Sequence, residues 1–173
     1  NAASGPKAKI LASGVAIPWA LEAQQLLLEW GVSADVWSVT SWTELRKDGL
    51  ASDEQKFLYP NSDPTMPYLT GKLADSEGPT LGVSDFMHSV PDMIRPWISG
   101  DYATLGADGF GFSDTRAAAR RYFKIDGPSI AVRVLEQLVV DQKIDPSVPQ
   151  LAIDKYRLHE VAAGTSGTAG GDA

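Results

Sequence analysis

The stretch KILASGVAIPWALEAQQLLLEWGVSADVWSV, residues 9–39, decides the fold of this chain. Residues 9–15 are a short apolar run that ends in a glycine turn, which is typical of a buried strand. Residues 19–30 are helix formers with a broad leucine face, and Gly31 is a suitable C-terminal stop. The β-branched and aromatic residues at 34–39 predict a second strand. A strand–helix–strand unit of this kind predicts parallel strands joined by a right-handed crossover.

The rest of the sequence continues this alternation. Further strands are predicted at residues 80–84 and 102–105. Ser41 and Glu44 form a capping box for a short helix, and the proline-bearing residues 50–68 predict a long surface connection. Other helices are predicted at residues 67–73, 89–99 and 115–123, and Pro96 is expected to kink or shorten the second of these. Two further helices are predicted, one that follows a cap at Asp126 and one at residues 146–156 that follows a cap at Asp145. Strands alternating with helices indicate a three-layer α/β domain with a mostly parallel sheet.

The domain is expected to occupy residues 9–158. A flexible lead-in, residues 1–8, precedes it, and the small, polar residues 159–173 are expected to form a disordered tail. The chain opens on Asn1 rather than on methionine, so we expect a piece of a longer protein.

Composition excludes several classes of function for these 173 residues. The net charge of -7 disfavours binding to nucleic acid or to an anionic membrane surface. The sequence has no cysteine, which excludes disulfides, zinc–thiolate sites and iron–sulfur clusters and fits a reducing compartment. No apolar run reaches the roughly 20 residues that span a bilayer.

A glycine-rich segment followed by a basic one, LGADGFGFSDTRAAARRYFKID at residues 105–126, is the main candidate site. Its glycines follow a GxxGxG order, whereas the dinucleotide-binding fingerprint is GxGxxG. They also follow the fourth predicted strand, whereas the fingerprint follows the first strand. The segment is therefore interpreted as a structural turn followed by a helix that Ser113 or Asp114 caps. Its arginines are interpreted as surface or interface cations. A phosphate cradle is the alternative. The candidate interface or structural residues are Asp108, Gly109, Gly111, Ser113, Asp114, Arg116, Arg120 and Arg121.

Other patterns carry weaker signals. Asp85, His88 and Asp92 lie on one helical face and offer metal-ligating groups, but a capping Asp beside a surface or interface His is the preferred interpretation. The turn at Ser13 and Gly14 lies where open α/β sheets bind ligands, although one glycine is weak evidence. Each tryptophan is interpreted first as a core residue, with Trp42 as a candidate seal of a domain contact. His159 is expected to be solvated.

The segment at residues 108–126 resembles a DGFG-x-SDTR-x-x-x-R-x-x-F-x-x-D signature. It is similar to that of the bacterial single-chain, homodimeric pyruvate dehydrogenases, the decarboxylating first component of the pyruvate dehydrogenase complex. The resemblance extends to SADVWSVTSWTELRKDG (33–49), MPYLTGKL (66–73) and TLGVSDFMHSVPDMIRPWI (80–98), in the same order as in that family. It covers most of residues 9–156.

This resemblance implies a transketolase-like C-terminal domain of a cytoplasmic enzyme. The whole enzyme would decarboxylate pyruvate and reductively acetylate the lipoyl group of the acetyltransferase component, using thiamine diphosphate and Mg²⁺ held by upstream domains. The implied partners are a second copy of the enzyme, the upstream domains and the lipoyl-bearing component. No catalytic, cofactor-binding or metal-binding residue is assigned here, and the domain itself is expected to support the dimer and the active-site entrance. The alternatives are an autonomous regulatory module that binds a nucleotide or small acid in the crevice near Ser13, Gly14 and Gly109, and a domain of another transketolase-type enzyme.

Overall fold

A computed structural model describes residues 5–63 and 65–162 of the chain. The elements, in chain order, are β1 (Lys7–Ala12), α1 (Ile17–Leu28), β2 (Ser33–Ser38), α2 (Trp42–Leu58), α3 (Tyr68–Leu73), β3 (Thr80–Val83), α4 (Ser89–Asp92), β4 (Tyr102–Leu105), α5 (Arg116–Tyr122), α6 (Gly127–Val140) and α7 (Val148–Tyr156). Short 3₁₀ turns at Gly14–Ala16 and Arg95–Trp97 follow β1 and α4. Residues 163–173 of the predicted tail lie outside the described residues. No helix in the described ranges is long and apolar enough to cross a membrane.

The four strands form one sheet in the order β2-β1-β3-β4, and every neighbouring pair is parallel. The strand–helix–strand unit of residues 9–39 is confirmed, although β1 begins at Lys7 and ends at Ala12. Side chains alternate across β1, so that Ile10 faces one layer of helices and Leu11 faces the other.

Helices cover both faces of the sheet, which confirms the three-layer α/β architecture. The larger core packs α1, α6 and α7 against one face and includes Ile10, Leu27, Leu81, Ile130 and Leu135. The smaller core packs α2, α3 and the Arg95–Trp97 turn against the other face and includes Leu11, Trp42, Leu69, Leu73 and Ile94.

The predicted surface connection at residues 50–68 is wrong in its first half, because α2 continues to Leu58. The sequence of this half is polar, and tertiary contacts anchor the helix to the rest of the domain. Ser52 donates to the carbonyl of Thr65, and the Trp97 indole N–H donates to Asp53 at 3.0 Å. These partners lie more than ten positions away, so local periodicity does not reveal them.

Two of the predicted caps are confirmed. Ser41 accepts from the backbone N–H of Glu44 at 3.2 Å and Asp126 accepts from that of Ser129 at 3.1 Å. Asp145 is not the cap of α7, since the N-cap residue is Ser147 and Asp145 accepts from its N–H and hydroxyl. The expected effect of Pro96 is confirmed, because the predicted helix at 89–99 is divided into α4 and a separate 3₁₀ turn.

Gly49 in α2 provides a test of this packing. A Cβ atom at Gly49 would overlap the Trp97 ring, whereas one at Gly71 in α3 would meet only the flexible end of Met66 at 3.4 Å. Helix propensity favours alanine over glycine by about 1 kcal/mol at both sites, while overpacking costs roughly 1–3 kcal/mol. We expect Gly49→Ala to lower the melting temperature and Gly71→Ala to raise it slightly. Equal effects in thermal denaturation would contradict the packing of α2 on Trp97.

Candidate functional site

The loops that follow β3 and β4 are joined by backbone contacts at the carboxyl end of the sheet. The N–H of Ala107 donates to the carbonyl of Phe86 at 2.9 Å. A Cβ atom at Gly106 would come within 2.6 Å of that same carbonyl oxygen and 2.8 Å of the His88 nitrogen. Glycine is therefore required at 106 because the two loops approach too closely for a side chain.

Asp108 fastens these two loops with its carboxylate. One oxygen accepts from the backbone N–H of His88 at 2.9 Å, and the other lies 2.6 Å from the His88 ring Nδ1. The backbone N–H of His88 is the main cause that lowers the pKa of Asp108, and the imidazole lowers it further. The clasp between Asp108 and His88 holds the start of the candidate segment in place.

The metal alternative for Asp85, His88 and Asp92 receives no support. His88 pairs with Asp108, and Asp92 accepts from Thr104 at 2.9 Å. Across the described ranges, no cluster of three or more acidic or histidine side chains could hold a metal. The predicted Asp cap is also wrong for α4, whose N-cap residue His88 makes no side-chain capping bond.

The middle of the candidate segment is an open loop. Gly109 has a φ of +102°, which favours glycine, and nothing lies within 4 Å of a Cβ atom built on it or on Gly111. Ser113 is exposed, and the cap of α5 is neither Ser113 nor Asp114 but Thr115, whose hydroxyl accepts from Ala118 N–H at 3.2 Å. Asp114 accepts instead from Thr115 N–H at 2.7 Å. Thr115 occupies one N-terminal donor of α5, and the carboxylate of Asp114 beside it repels a second anion, which disfavours the phosphate-cradle alternative.

Arg121 is buried, so its assignment as a surface or interface cation is wrong. The residue is 6% exposed, and its Nε donates to Asp126 at 2.5 Å. Its Nη1 donates to the carbonyl of Tyr156 at 3.0 Å and lies 3.4 Å from that of Arg157. One guanidinium thus joins α5, the N-cap of α6 and the C-terminal end of α7.

The other two arginines of the segment lie nearer to solvent. Arg120 stacks over the ring of Trp19 with its guanidinium carbon 4.4 Å from the centroid. Arg116 is exposed on the first turn of α5. These two residues and the exposed Lys124, and not Arg121, carry the positive charge that the segment presents.

An exposed apolar surface surrounds the clasp. We call Val15, Phe86, Met87 and Phe110 the carboxyl-edge patch, because each lies in a loop that leaves the carboxyl end of a strand. All four are more than half exposed, and Phe110 is fully so. Beside them, Phe112 stacks on Tyr122 with centroids 4.4 Å apart. Exposed apolar groups grouped in this way mark a contact surface.

The crevice proposed for the regulatory alternative is closed by a tryptophan. Trp42 is buried, and its indole N–H donates to the hydroxyl of Ser13 at 2.9 Å. The side chain fills the space beside the end of β1 where open α/β sheets place ligands. Gly109 lies in the open loop after β4, and β3 separates β4 from β1 in the sheet.

Glu22 belongs to the Arg121 cluster and was missed at the level of sequence. Its carboxylate accepts from the N–H of Gly127, and a Cβ atom at that glycine would come within 2.5 Å of Glu22 Oε2. Burial and the nearby Asp126 raise the pKa of Glu22, and Arg121 opposes them only in part. Glu22 lies on α1, about a hundred residues from Arg121, so spacing gives no signal for the pairing.

Comparisons with known proteins agree with this architecture. Residues 1–126 match the transketolase-like TK C-terminal domain family. The chain is 57% identical over 158 residues to the pyruvate dehydrogenase E1 component of Mycobacterium tuberculosis, covering 91% of this chain and 17% of that protein. The corresponding protein of Mycolicibacterium smegmatis is 53% identical over 157 residues, covering 90% of this chain and 17% of that protein. The matched part is C-terminal in these relatives, and the chain spans about a sixth of their length.

A solved structure supports the fold alone. A split-gene transketolase, described as an inactive β4 tetramer, superposes with a TM-score of 0.56 at 17% identity, over 79% of this chain and 40% of that one.

Removal of the Arg121 guanidinium tests the central cluster. Arg121→Gln leaves Asp126 buried without its ion pair, which costs about 3–5 kcal/mol in comparable cases. The matched change Arg120→Gln removes a stacked cation worth roughly 0.5–1 kcal/mol. We expect urea denaturation to show a much larger loss of unfolding free energy for Arg121→Gln. Similar losses for the two variants would contradict the assignment.

Glu22 predicts a pH dependence of stability. The folded-state pKa of Glu22 is raised, so the stability that its neutral carboxyl contributes is fully present below the unfolded pKa. This stability is lost as the pH rises through the folded pKa. Glu22→Gln keeps an acceptor for Gly127 and removes this ionisation. We expect the melting temperature of the variant to exceed that of the parent near pH 7.5. The difference in melting temperature should become smaller toward pH ~4.

Glu54→Gln, on an exposed part of α2, is the matched control and should shift the melting temperature equally at both pH values. A Glu22→Gln effect that does not depend on pH would contradict the raised pKa.

Proposed function

Since the chain belongs to the transketolase-like TK C-terminal domain family, we propose that it is the C-terminal domain of a pyruvate dehydrogenase E1 component. The identity of 57% over 158 residues to the Mycobacterium tuberculosis protein carries this proposal. The whole enzyme would act in the cytoplasm, decarboxylating pyruvate and transferring the two-carbon fragment reductively to a lipoyl group of the acetyltransferase component.

The described residues do not fit thiamine diphosphate or its Mg²⁺. The end of β1, where an α/β sheet offers space for a ligand, is filled by Trp42, and the acidic side chains nearby pair with His88 and Thr104. We therefore place the cofactor, and the electron sink that it supplies when bound, in the upstream domains. No step of the chemistry is assigned to a residue of this chain.

The role proposed for this domain is support of the dimer and of the active-site entrance. The carboxyl-edge patch is the surface suited to it, because apolar and aromatic groups are enriched in the cores of protein interfaces. The Asp108–His88 clasp fixes the loops that carry Phe86, Met87 and Phe110, so the patch is presented without ordering cost on association.

Arg116 and Arg120 extend the proposed surface with positive charge. They lie on α5, which follows the Phe110 loop directly. A lipoyl domain that approaches the active site would meet this face if the patch borders the entrance. Charge on such a rim changes the rate of association more than the affinity.

The activity itself is tested in the full-length enzyme from the same source. With thiamine diphosphate, Mg²⁺ and a lipoyl domain supplied, we expect pyruvate-dependent acetylation of the lipoyl group. A full-length protein that releases no carbon dioxide from pyruvate, or that prefers a sugar phosphate as donor, would contradict the proposal.

Phe110→Ser in that enzyme tests the patch. The side chain is fully exposed in this domain, so its loss should leave the domain's own melting temperature unchanged. A buried interface residue contributes more than about 1 kcal/mol, so we expect dimer dissociation or lipoyl acetylation to change by roughly fivefold or more. Phe57→Ser, which alters another exposed phenylalanine at the end of α2, is the matched control. Equal behaviour of the two variants would remove the patch from the interface.

A further inference from the structure

A groove of about 610 Å³ lies on the side of the domain between the end of β4, α6 and the residues that follow α7. This volume falls within the range of about 300–1,000 Å³ that is typical of sites for small molecules. The proposed function assigns no role to the groove itself, although His88 of the clasp is one of its lining residues.

One wall of the groove is apolar. It is formed by side chains from five different segments, which are Leu105, Phe123, Val132, Ile153, Leu158 and Val161. Val132 belongs to the buried face of α6, and Leu158 and Ile153 pack against the larger core. Most of this wall therefore packs on the larger core, while Val161 lies in the segment that follows α7.

The charged groups that line the groove are mostly cationic. Three permanent cations, Arg121, Lys124 and Arg133, face one carboxylate, Glu136, although the whole chain carries a net charge of -7. Arg121 is neutralised by Asp126, and Arg133 pairs with Glu136 at 2.9 Å. Lys124 makes no ion pair with any residue in the described ranges, and two histidines, His88 and His159, also line the groove. The groove thus retains positive charge beside its apolar wall.

A buried hydroxyl at the same groove also lacks a partner. Ser129 lines the groove and is 6% exposed, yet its Oγ has no hydrogen-bond partner among the described residues. Buried polar atoms are normally satisfied, so an unsatisfied one calls for an explanation such as a water or a ligand.

We propose that this groove binds a small organic anion with an apolar body, namely a short-chain monocarboxylate. The hydrocarbon part packs on Val132, Ile153 and Leu158, and the carboxylate is held by Lys124 with Arg133 beside it. Carboxylates suit these partners because charge-assisted hydrogen bonds to Lys and Arg are stronger than neutral ones. The binding is independent of decarboxylation and of the upstream domains.

Hexanoate is the probe, and hexanamide, which has the same chain without the charge, is its matched control. In ¹H–¹⁵N correlation spectra of the 173-residue chain, we expect hexanoate to shift the amides that line the groove. Hexanoate should bind at least tenfold more tightly than hexanamide, and the difference should shrink at high salt because screening weakens exposed charge pairs.

Two variants locate the site. Lys124→Gln changes an exposed side chain and should reduce hexanoate affinity to that of hexanamide while leaving hexanamide unchanged. Val161→Glu places a negative charge on the apolar wall near the end of the described chain and should remove hexanoate binding without loss of melting temperature.

Three results would overturn the proposal. The first is equal binding of the two probes, or no shift at the lining residues. The second is unchanged hexanoate affinity in Lys124→Gln. The third is binding that appears only after residues 163–173 are removed, because the natural occupant would then be the end of this chain.

Discussion

The guanidinium of Arg121 is the interaction on which one side of this domain depends. It is buried where α5, α6 and α7 converge, and it donates to Asp126 and to the carbonyl of Tyr156. Both partners stand at helix ends with opposite polarity. Asp126 caps the positive N-terminus of α6, while the carbonyl belongs to the negative C-terminus of α7. The cation therefore satisfies the second carboxylate oxygen of Asp126 and the carbonyl of Tyr156, and lysine does not offer the same planar set of donors.

This arrangement also constrains α1. The carboxyl of Glu22 lies against Gly127, immediately after Asp126, so two acids lie near one buried cation. Arg121 can neutralise one of them fully, and the short contact to Asp126 shows which one. The raised pKa of Glu22 is the electrostatic consequence. Glycine at 127 is the steric consequence, since any larger residue would displace the Glu22 side chain.

Much of the fold could be predicted from sequence because its signals are local. The βαβ unit, the strand at Tyr102–Leu105, the cap at Ser41 and the interruption at Pro96 each depend on residues close together in the chain. The incorrect predictions concern residues whose contacts lie far apart in the chain. The second half of α2 is anchored by Trp97 and Thr65. A run of two arginines predicts solvated cations, whereas Arg121 is buried. Burial of a charged residue depends on partners that spacing alone does not identify.

The candidate segment divides into two parts once these contacts are known. From Arg121 to Asp126, the charged groups are satisfied inside the domain, and their role is to hold helices together. Asp108 likewise acts within the domain by fixing the loop of His88. Between these points, Phe110 is exposed and Arg116 faces outward on α5. A loop that is fixed at both ends yet presents a fully exposed aromatic ring gains no stability from that ring. The ring is therefore the group that the proposed interface would bury, and the fixed ends reduce the ordering of this loop that such a contact would require.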